Sequence, residues 1–201
     1  MGLKNFSRCL AAGVAVIAMW HAARASAAEG METIKSTLAK LWEYQAENGK
    51  ERGWKLSFGF PEMAVNEYIK YLIATNARPG VKEAEVHFAG NNAVDLTCTI
   101  DLDQVRSWDP KAIPQESPLH ARGALKVNSK IDVKVNDSLA TFSVVSAKDM
   151  EGDTPMPVIA ALFRVVASHQ PEHFDIDKPI HLPFPIKQMK IGNGSVSAET
   201  P

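Results

Sequence analysis

The feature of this sequence that most constrains its fold is a long run in which apolar and polar residues alternate. From Ala121 to Asn136 the odd positions are mainly apolar, as at Leu125 and Val135, and lysine, asparagine and aspartate occupy most even positions. A period of two predicts a strand with one buried face and one wet face. About fifteen residues at about 3.3 Å each give roughly 50 Å, which is much longer than an ordinary strand. Such a strand requires a large sheet whose apolar face is covered.

Further alternating stretches predict antiparallel partners for this strand. Residues 83–88 and 94–103 alternate on either side of a Gly-Asn-Asn turn, which predicts a hairpin. Cys98 lies on the apolar side of that hairpin and is assigned to packing. After the long strand the chain turns, and residues 139–147 return along it. Their apolar side chains change sides midway, which indicates either a β-bulge or a strand covered on both faces.

Three segments predict helices that cover the sheet. Residues 31–48 carry apolar side chains at helical spacing, which favours a covering helix over the alternative of a helix on a membrane surface. A second helix is predicted from Pro61 to about residue 77. The third, residues 153–169, is apolar nearly all round, which indicates deep burial or contact with an apolar ligand. Residues 104–120 show no period and predict a connecting loop.

Both ends of the domain predict shorter strands. Residues 54–60 alternate, and residues 180–199 show a strand, an interruption at Pro183 and Pro185, a second strand, a Gly-Asn-Gly turn and a last strand. We expect the prolines where the sheet ends or bends, and the last strand at an edge. The predicted fold is a single α+β domain, residues 28–201. It is a long curved antiparallel meander on two or three helices, with room for an apolar groove between the layers.

The N-terminal residues resemble a secretory signal peptide. Lys4 and Arg8 form a basic region, residues 9–20 are apolar but too short to span a bilayer comfortably, and Ala25-Ser26-Ala27 matches a small-residue cleavage site. We therefore expect residues 1–27 to be removed after Ala27, and the protein to be periplasmic or secreted.

The charge of the chain argues against one class of partner, and its cysteine content limits the possible disulfides. Removing residues 1–27 takes away Lys4, Arg8 and Arg24, which leaves 19 basic against 23 acidic side chains. No basic cluster suited to a phosphate backbone remains, so nucleic acid is not an expected partner. Cys98 is the only cysteine left, and an internal disulfide is therefore excluded.

No catalytic signature is found in the sequence. It contains neither a G-x-S-x-G serine nor a phosphate-cradling glycine loop, so no catalytic residue, cofactor or metal is assigned and the protein is not expected to be an enzyme. Histidines and acids near the third helix could suggest a metal site, but Pro171 interrupts the helical spacing that would bring them together. A solvated loop is the favoured interpretation for this set, which comprises His169, Glu172, His173, Asp175, Asp177 and His181.

The apolar side of the predicted sheet is the candidate binding surface. If the helices do not cover it fully, the remainder forms a groove for an acyl chain, in which each buried methylene contributes about 0.8 kcal/mol. Two alternatives stay open. One is a fully packed core in an envelope scaffold that docks a protein, and the other is an α+β enzyme with an unrecognised pocket. The predicted ligand-binding residues are Leu96, Ile100, Leu125, Val127, Ile131, Val133, Phe142 and Leu162.

Two segments also resemble a known family. The helix "EMAVNEYIKYLI" before "VKEAEVHFAGNNAVDLTCTIDLD", with the closing "LPFPIKQMKIGNGSVSAE", is similar to exported bacterial proteins of the LmeA-like and AsmA-like kind, whose fold is akin to the tubular lipid-binding (TULIP) proteins. The resemblance implies non-catalytic binding of lipid in the periplasm or cell envelope. Envelope proteins or a membrane surface are further candidate partners, apart from this resemblance. The helix at residues 31–48 departs from the short form of that pattern. The matching residues are Asn66, Tyr68, Ile69, Leu182, Pro183, Pro185, Ile191, Gly192 and Gly194.

Overall fold

A computed structural model describes residues 29–75, 77–171 and 175–201, so the predicted signal peptide and its cleavage site lie outside the described residues. Within those ranges the chain has an α+β fold with one open, eight-stranded antiparallel sheet and four α-helices, which confirms the predicted fold class. The helices are α1 Glu29–Ala46, α2 Glu62–Ala74, α3 Leu102–Trp108 and α4 Met156–Ser168. The strands are β1 Ser57–Pro61, β2 Val81–Gly90, β3 Ala93–Asp101, β4 Ala124–Asn136, β5 Leu139–Asp149, β6 Ile180–His181, β7 Gln188–Gly192 and β8 Ser195–Glu199.

The sheet is organised around the long strand β4. On one side β4 pairs with β3 and, at its last residue, with β7; on the other side it pairs with β5. Strands β2 to β5 therefore form the predicted meander, and β7, β8 and β1 continue the sheet beyond it. The two parts meet where the N–H of Gly194 donates to the carbonyl of Phe88, with 3.0 Å between the atoms.

Two tight turns set the register of the meander. Asn91 and Asn92 link β2 to β3, and Asp137 and Ser138 link β4 to β5; all four have positive φ angles between 46° and 66°. Two-residue hairpin turns with both central residues in this region match the twist of antiparallel strands. Asn and Asp adopt this conformation more readily than most residues, so these turns follow directly from the sequence.

The helices cover one face of the sheet, which is called here the inner face. Helix α2 packs on α1, β1 and β2, α3 packs on β4 and α4, and α4 packs on β5. The buried apolar residues of these helices and strands form one continuous cluster. None of the described helices combines the length and apolarity needed to cross a membrane.

Helix α3 was not predicted, because residues 102 and 103 continue the alternation of β3 and the following segment has no period. The side chain of Asp101 ends the strand: its Oδ1 accepts hydrogen bonds from the N–H groups of Asp103, at 3.0 Å, and Gln104, at 3.1 Å. This is an N-cap, which satisfies the first free donors of a helix. The predicted loop at 104–120 is therefore helical at its start, and β4 begins at Ala124 instead of Ala121.

The prediction that the last strand lies at an edge was wrong. Strand β8 pairs with β7 on one side and with β1 on the other, so that Val196 is opposite both Ile191 and Phe60. The edge is occupied by β1, from the other end of the domain. Pro183 and Pro185 lie between β6 and β7, outside both strands, as expected.

Strand β5 contains the β-bulge that its mixed pattern suggested. Ile131 is opposite Val144, but the preceding Lys130 is opposite Ser146, which leaves Val145 as the extra residue. The bulge changes which positions face inward, from Phe142 and Val144 before it to residues 147 and 149 after it.

Candidate functional site

The predicted ligand-binding residues lie together on the inner face. Leu96 and Ile100 on β3, Leu125, Val127, Ile131 and Val133 on β4, and Leu162 on α4 are each at most 3% exposed and belong to the continuous apolar cluster. Phe142 on β5 differs from the others because it is only half-buried, although it is opposite the buried Val133. The eight side chains form one apolar layer between sheet and helices. Their role in binding remains a prediction.

Several apolar residues on β5 and on α4 are only half-buried. Phe142 and Val144 face inward on β5 but are half-buried, and so are Val158 and Val165 on α4, the helix that packs on β5. These four residues are called the β5–α4 margin. The physical cause lies in the topology, since beyond Ala140 no described strand lies on the outer side of β5 to cover the inward side chains.

Exposed apolar residues are concentrated beside this margin. Of the seven large apolar side chains that are exposed in the described residues, four lie on β5, just after it or at the first residue of α4. They are Leu139, Val145, Met150 and Met156, with exposures of 38% to 54%. Leu139 and Val145 are on the outer face of β5, whereas Phe142 and Val144 are on its inner face.

A buried hydroxyl interrupts the apolar layer. Ser129 is on the inner face of β4 between Leu96 of β3 and Ala147 of β5, and it is fully buried. Its Oγ has no hydrogen-bond partner among the described residues. Leaving a buried polar group without a partner costs about 1–3 kcal/mol, so a bound molecule with a hydroxyl or carbonyl group would gain a hydrogen bond at this point.

The residues Asn66 and Tyr68 of the family resemblance are both buried, and Asn66 has a definite structural role. Its side-chain Nδ2 donates to the carbonyl of Val86 and its Oδ1 accepts from the N–H of the same residue, both at 2.8 Å. Asn66 thus replaces a neighbouring strand at the edge of β2. Glu62, one turn earlier on α2, accepts the N–H of Phe88 at 2.6 Å. Sequence reasoning did not assign either contact.

Asp149 is a buried carboxylate at the end of β5, with 1% of the residue exposed. It accepts hydrogen bonds from Arg122 Nη1 at 2.7 Å, from Thr154 Oγ1 at 2.6 Å and from the N–H of Glu151 at 2.9 Å. Burial by itself would raise the pKa of Asp149, but these three hydrogen bonds lower it to about 2. The cluster fixes the segment between β5 and α4, and this accounts for the perturbed pKa without catalysis.

Some of the histidines and acids near α4 have other partners. The ring of His169 stacks on Trp108 with 4.5 Å between centroids, and Asp177 Oδ2 accepts a hydrogen bond from Arg164 Nε at 2.7 Å. Among the residues that the structure describes, no group of three or more histidine, cysteine, aspartate or glutamate side chains could hold a metal. Two members of the set lie outside the described residues, Glu172 and His173.

Cys98 is buried, and burial raises the pKa of its thiol to about 12. A thiol with this pKa is inert at neutral pH, which agrees with the predicted packing role. A groove of about 470 Å³ lies nearby, between α2 and the first half of β2. Its lining mixes lysines such as Lys70 and Lys82 with Glu83 and Glu85, so it does not favour one class of ligand.

Compared with models of protein families, with curated proteins and with solved structures, the chain gives no match. The resemblance to LmeA-like and AsmA-like proteins therefore remains a prediction.

Proposed function

We propose that this chain is an exported, non-catalytic binding protein for a lipid or another long apolar ligand, which acts in the periplasm or the cell envelope. The observation that carries the proposal is the half-buried apolar margin between β5 and α4. Such a margin gives an acyl chain direct access to the apolar layer of the sheet.

The chemistry of the margin suits an acyl chain. Phe142, Val144, Val158 and Val165 have no polar side-chain atoms, and the other predicted binding residues behind them are apolar, although the buried Ser129 and Asp149 also face inward. An acyl chain that covers these side chains removes apolar area from water, which contributes about 25 cal/mol per Å². The hydroxyl of Ser129 has no partner among the described residues, so we expect the ligand to carry at least one polar group that can bond to it. The signal-like N-terminal sequence supports export. Export in turn fits a carrier of envelope lipids, because such carriers work outside the cytoplasm.

The most direct experiment is mass spectrometry of lipids that are extracted from the purified protein. We expect at least one species with a long acyl or isoprenoid chain in a defined molar ratio to the protein. Binding is then measured with a fluorescent polyene fatty acid, whose emission rises when it leaves water. If the protein carries no lipid after mild purification and leaves the probe emission unchanged, the carrier proposal is contradicted.

Two variants locate the ligand. Phe142→Asp places a charge in the margin, and we expect it to weaken probe binding at least tenfold because a carboxylate beside the acyl chain must be desolvated. Thr141→Asp is the matched control, since Thr141 is the preceding residue and is exposed on the opposite face. Equal loss of binding in both variants would contradict the assigned location. Equal binding in both variants and in the parent would contradict it as well.

A third variant tests the layer behind the margin. Ile131 is 2% exposed, and replacing it with Trp fills any space that the ligand occupies. We expect Ile131→Trp to lose bound lipid with a modest fall in melting temperature. In a fully packed layer without ligand the same change costs roughly 1–3 kcal/mol or more. A large fall in melting temperature, with no lipid in either protein, would leave the scaffold as the better description.

The second candidate function is that of an envelope scaffold which docks a protein. The exposed apolar residues along β5 favour it, because they lie beside main-chain groups that an added strand could pair with. A scaffold would retain its partner in the absence of lipid, and its partner would protect Val145 and Met150 from solvent. Hydrogen exchange of these residues, with and without envelope extract, separates the two candidates.

A further inference from the structure

Besides the two-residue β6, three strands of the described sheet have a free side, and they differ in how that side is protected. At the edge of β2, Asn66 satisfies the main chain of Val86, and Glu62 accepts the N–H of Phe88. Charged residues also occur along β2, and charge discourages pairing with another chain. The edge of β2 is therefore covered over its second half and charged over its first.

Strand β1 is protected by its length and composition. It has only five residues, and these include Gly59 and Pro61. Short edge strands and proline both weaken pairing with a further strand, because proline has no N–H to donate. This edge offers little to a partner.

Strand β5 lacks most of these protections. Residues 139–147 contain no charged side chain over nine consecutive positions. Outer pairing with β6 involves only Leu139 and Ala140, and no other described strand lies on that side. Val145, the bulge residue, is 54% exposed. A long, uncharged edge with exposed apolar side chains is a template for pairing with another strand.

The hairpin turn determines which main-chain groups of β5 are free. Asn136 and Leu139 flank a two-residue turn, so they form a hydrogen-bonded pair with each other. The main-chain N–H and C=O groups of successive residues point to opposite sides of a strand, so those of Phe142 and Val144 point away from β4. The carbonyl of Ser138 accepts the N–H of Leu182 on this same outer side, at 2.7 Å, which agrees with the alternation.

We propose that β5 pairs with β5 of a second copy of this chain, antiparallel, about a two-fold axis at Ser143. In this register Phe142 is opposite Val144 of the second copy and exchanges both main-chain hydrogen bonds with it. Thr141 is opposite Val145, and Ser143 is opposite its own equivalent. The contact is closed and self-complementary, as two-fold interfaces are.

The side chains fit this register on both faces. Phe142 and Val144 both face inward, so each meets the other across the interface as an aromatic and β-branched pair, a favourable combination in sheets. Thr141 and Val145 are both exposed on the outer face, where the pairing covers Val145. No charged side chain comes opposite another between Thr141 and Val145. The proposed dimer thus covers the edge residues that are left open in one copy.

This inference involves the same strand as the proposed ligand site, since Phe142 and Val144 take part in both, but it does not require a bound ligand. Strand pairing uses the main chain at the outer edge of β5, whereas an acyl chain would contact the inward side chains under α4. A dimer that carries no lipid would support the strand pairing but not the lipid proposal, and a monomer that carries lipid would support the lipid proposal but not the strand pairing.

The register is tested by disulfide cross-linking. Ser143→Cys places two thiols in a non-hydrogen-bonded pair, where Cα atoms are about 4.5 Å apart, close enough for a disulfide to form. We expect rapid formation of a covalent dimer with oxidised glutathione, reversed by a reducing agent. Thr141→Cys is the control, because its equivalent lies four residues along the strand and should not cross-link. The parent, with Cys98 buried, is the blank.

A second variant tests the interface without covalent chemistry. Ser143 is exposed, so Ser143→Lys should leave the fold of each copy unchanged but place two ammonium groups opposite each other in the dimer. Light scattering over a dilution series should give a dimer for the parent and a monomer for this variant. Ser57→Lys, at an exposed residue on the edge strand β1, should remain a dimer. A parent that is monomeric throughout, or a Thr141→Cys variant that cross-links as fast as the Ser143→Cys variant, would overturn the proposal.

Discussion

Single side chains complete the main-chain hydrogen bonding where the strands end. Asn66 replaces a strand beside Val86, Glu62 accepts the N–H of Phe88, and Asp101 caps α3. Asn66 and Glu62 bond main-chain groups twenty or more residues away in the sequence. Asp101 can cap α3 only because the chain turns away from the sheet after β3. Sequence patterns therefore identified these residues as helical or strand positions without giving their contacts.

At the residue scale we expect Asn66→Leu to destabilise the protein by about 2–4 kcal/mol. The substitution puts an apolar side chain of similar size into a buried site but leaves the N–H and C=O of Val86 without partners. Each buried group without a partner costs about 1–3 kcal/mol of stability. Urea unfolding measures the loss. Asn128→Leu is the control, because Asn128 is exposed and bonds only Thr97 among the described residues. Similar losses for both variants would contradict the role assigned to Asn66.

The pH dependence of stability also belongs to this scale. The folded pKa of Asp149 is about 2, below its ordinary value of 3.8. The unfolded chain therefore binds a proton first as the pH falls, so the stabilisation is complete above about pH 4 and is lost between pH 4 and pH 2. Its size is on the order of 2 kcal/mol, since each pKa unit corresponds to about 1.4 kcal/mol.

The measurement is denaturant unfolding at a series of pH values for the parent and for Asp149→Asn. We expect the free energy of unfolding of the parent to fall more steeply between pH 4 and pH 2 than that of the variant. The exposed Asp132→Asn should behave like the parent. Parallel curves for the parent and the Asp149 variant would show that the Arg122 cluster does not stabilise the folded state.

At the scale of elements, periodicity predicted most helices and strands because backbone geometry imposes a period of two or 3.6 on any segment with one buried face. The predictions were weakest where a single side chain ends an element. Asp101 converts the end of β3 into α3, and Ser117 accepts the N–H of Leu119 at the start of the short 3₁₀ turn before β4. The motif Asp101–Gln104 was the available signal for α3, because an Asp followed three residues later by Gln is typical of a helix start.

The bulge in β5 gives a prediction at this scale. Deleting Val145 restores a continuous register, with Ile131 opposite Val144 and Lys130 opposite Ser146 as they are now. We expect this deletion variant to fold with a melting temperature near that of the parent. Deleting Asn128 from β4 should prevent folding, because β4 pairs on both sides and half of its side chains would change faces. Circular dichroism during thermal unfolding compares the two, and equal behaviour would contradict the role of the bulge.

At the scale of the whole molecule, the topology determines which surface remains available. Strand β1 closes one end of the sheet by pairing with β8, and α2 covers the edge of β2. Among the described strands only β5 is left with a long free side, and the ligand and the second copy are both proposed there. The eight predicted binding residues do lie in one layer, but the accessible margin includes only Phe142 among them.

The proposed export concerns the whole molecule. We expect the protein, when expressed with its full sequence in a bacterium, to appear outside the cytoplasm with residue 28 at its N-terminus. This expectation rests on the basic region, the apolar core and Ala25-Ser26-Ala27, which together match the pattern of a secretory signal peptide. N-terminal sequencing of the fractionated protein checks this, and Ala27→Arg should block processing. Cytoplasmic protein that retains residues 1–27 would contradict it.

The sequence by itself determined the fold class, the presence of one long central strand, the positions of the tight turns and the apolar character of α4. These properties depend on neighbours within a few residues, so a local pattern specifies them. The tertiary structure decided that β1 pairs with β8, that Asn66 protects β2, and that Phe142 is left at an open margin. These contacts join residues far apart in the chain, and only the simultaneous burial of all apolar faces selects them from the alternatives that the local pattern allows.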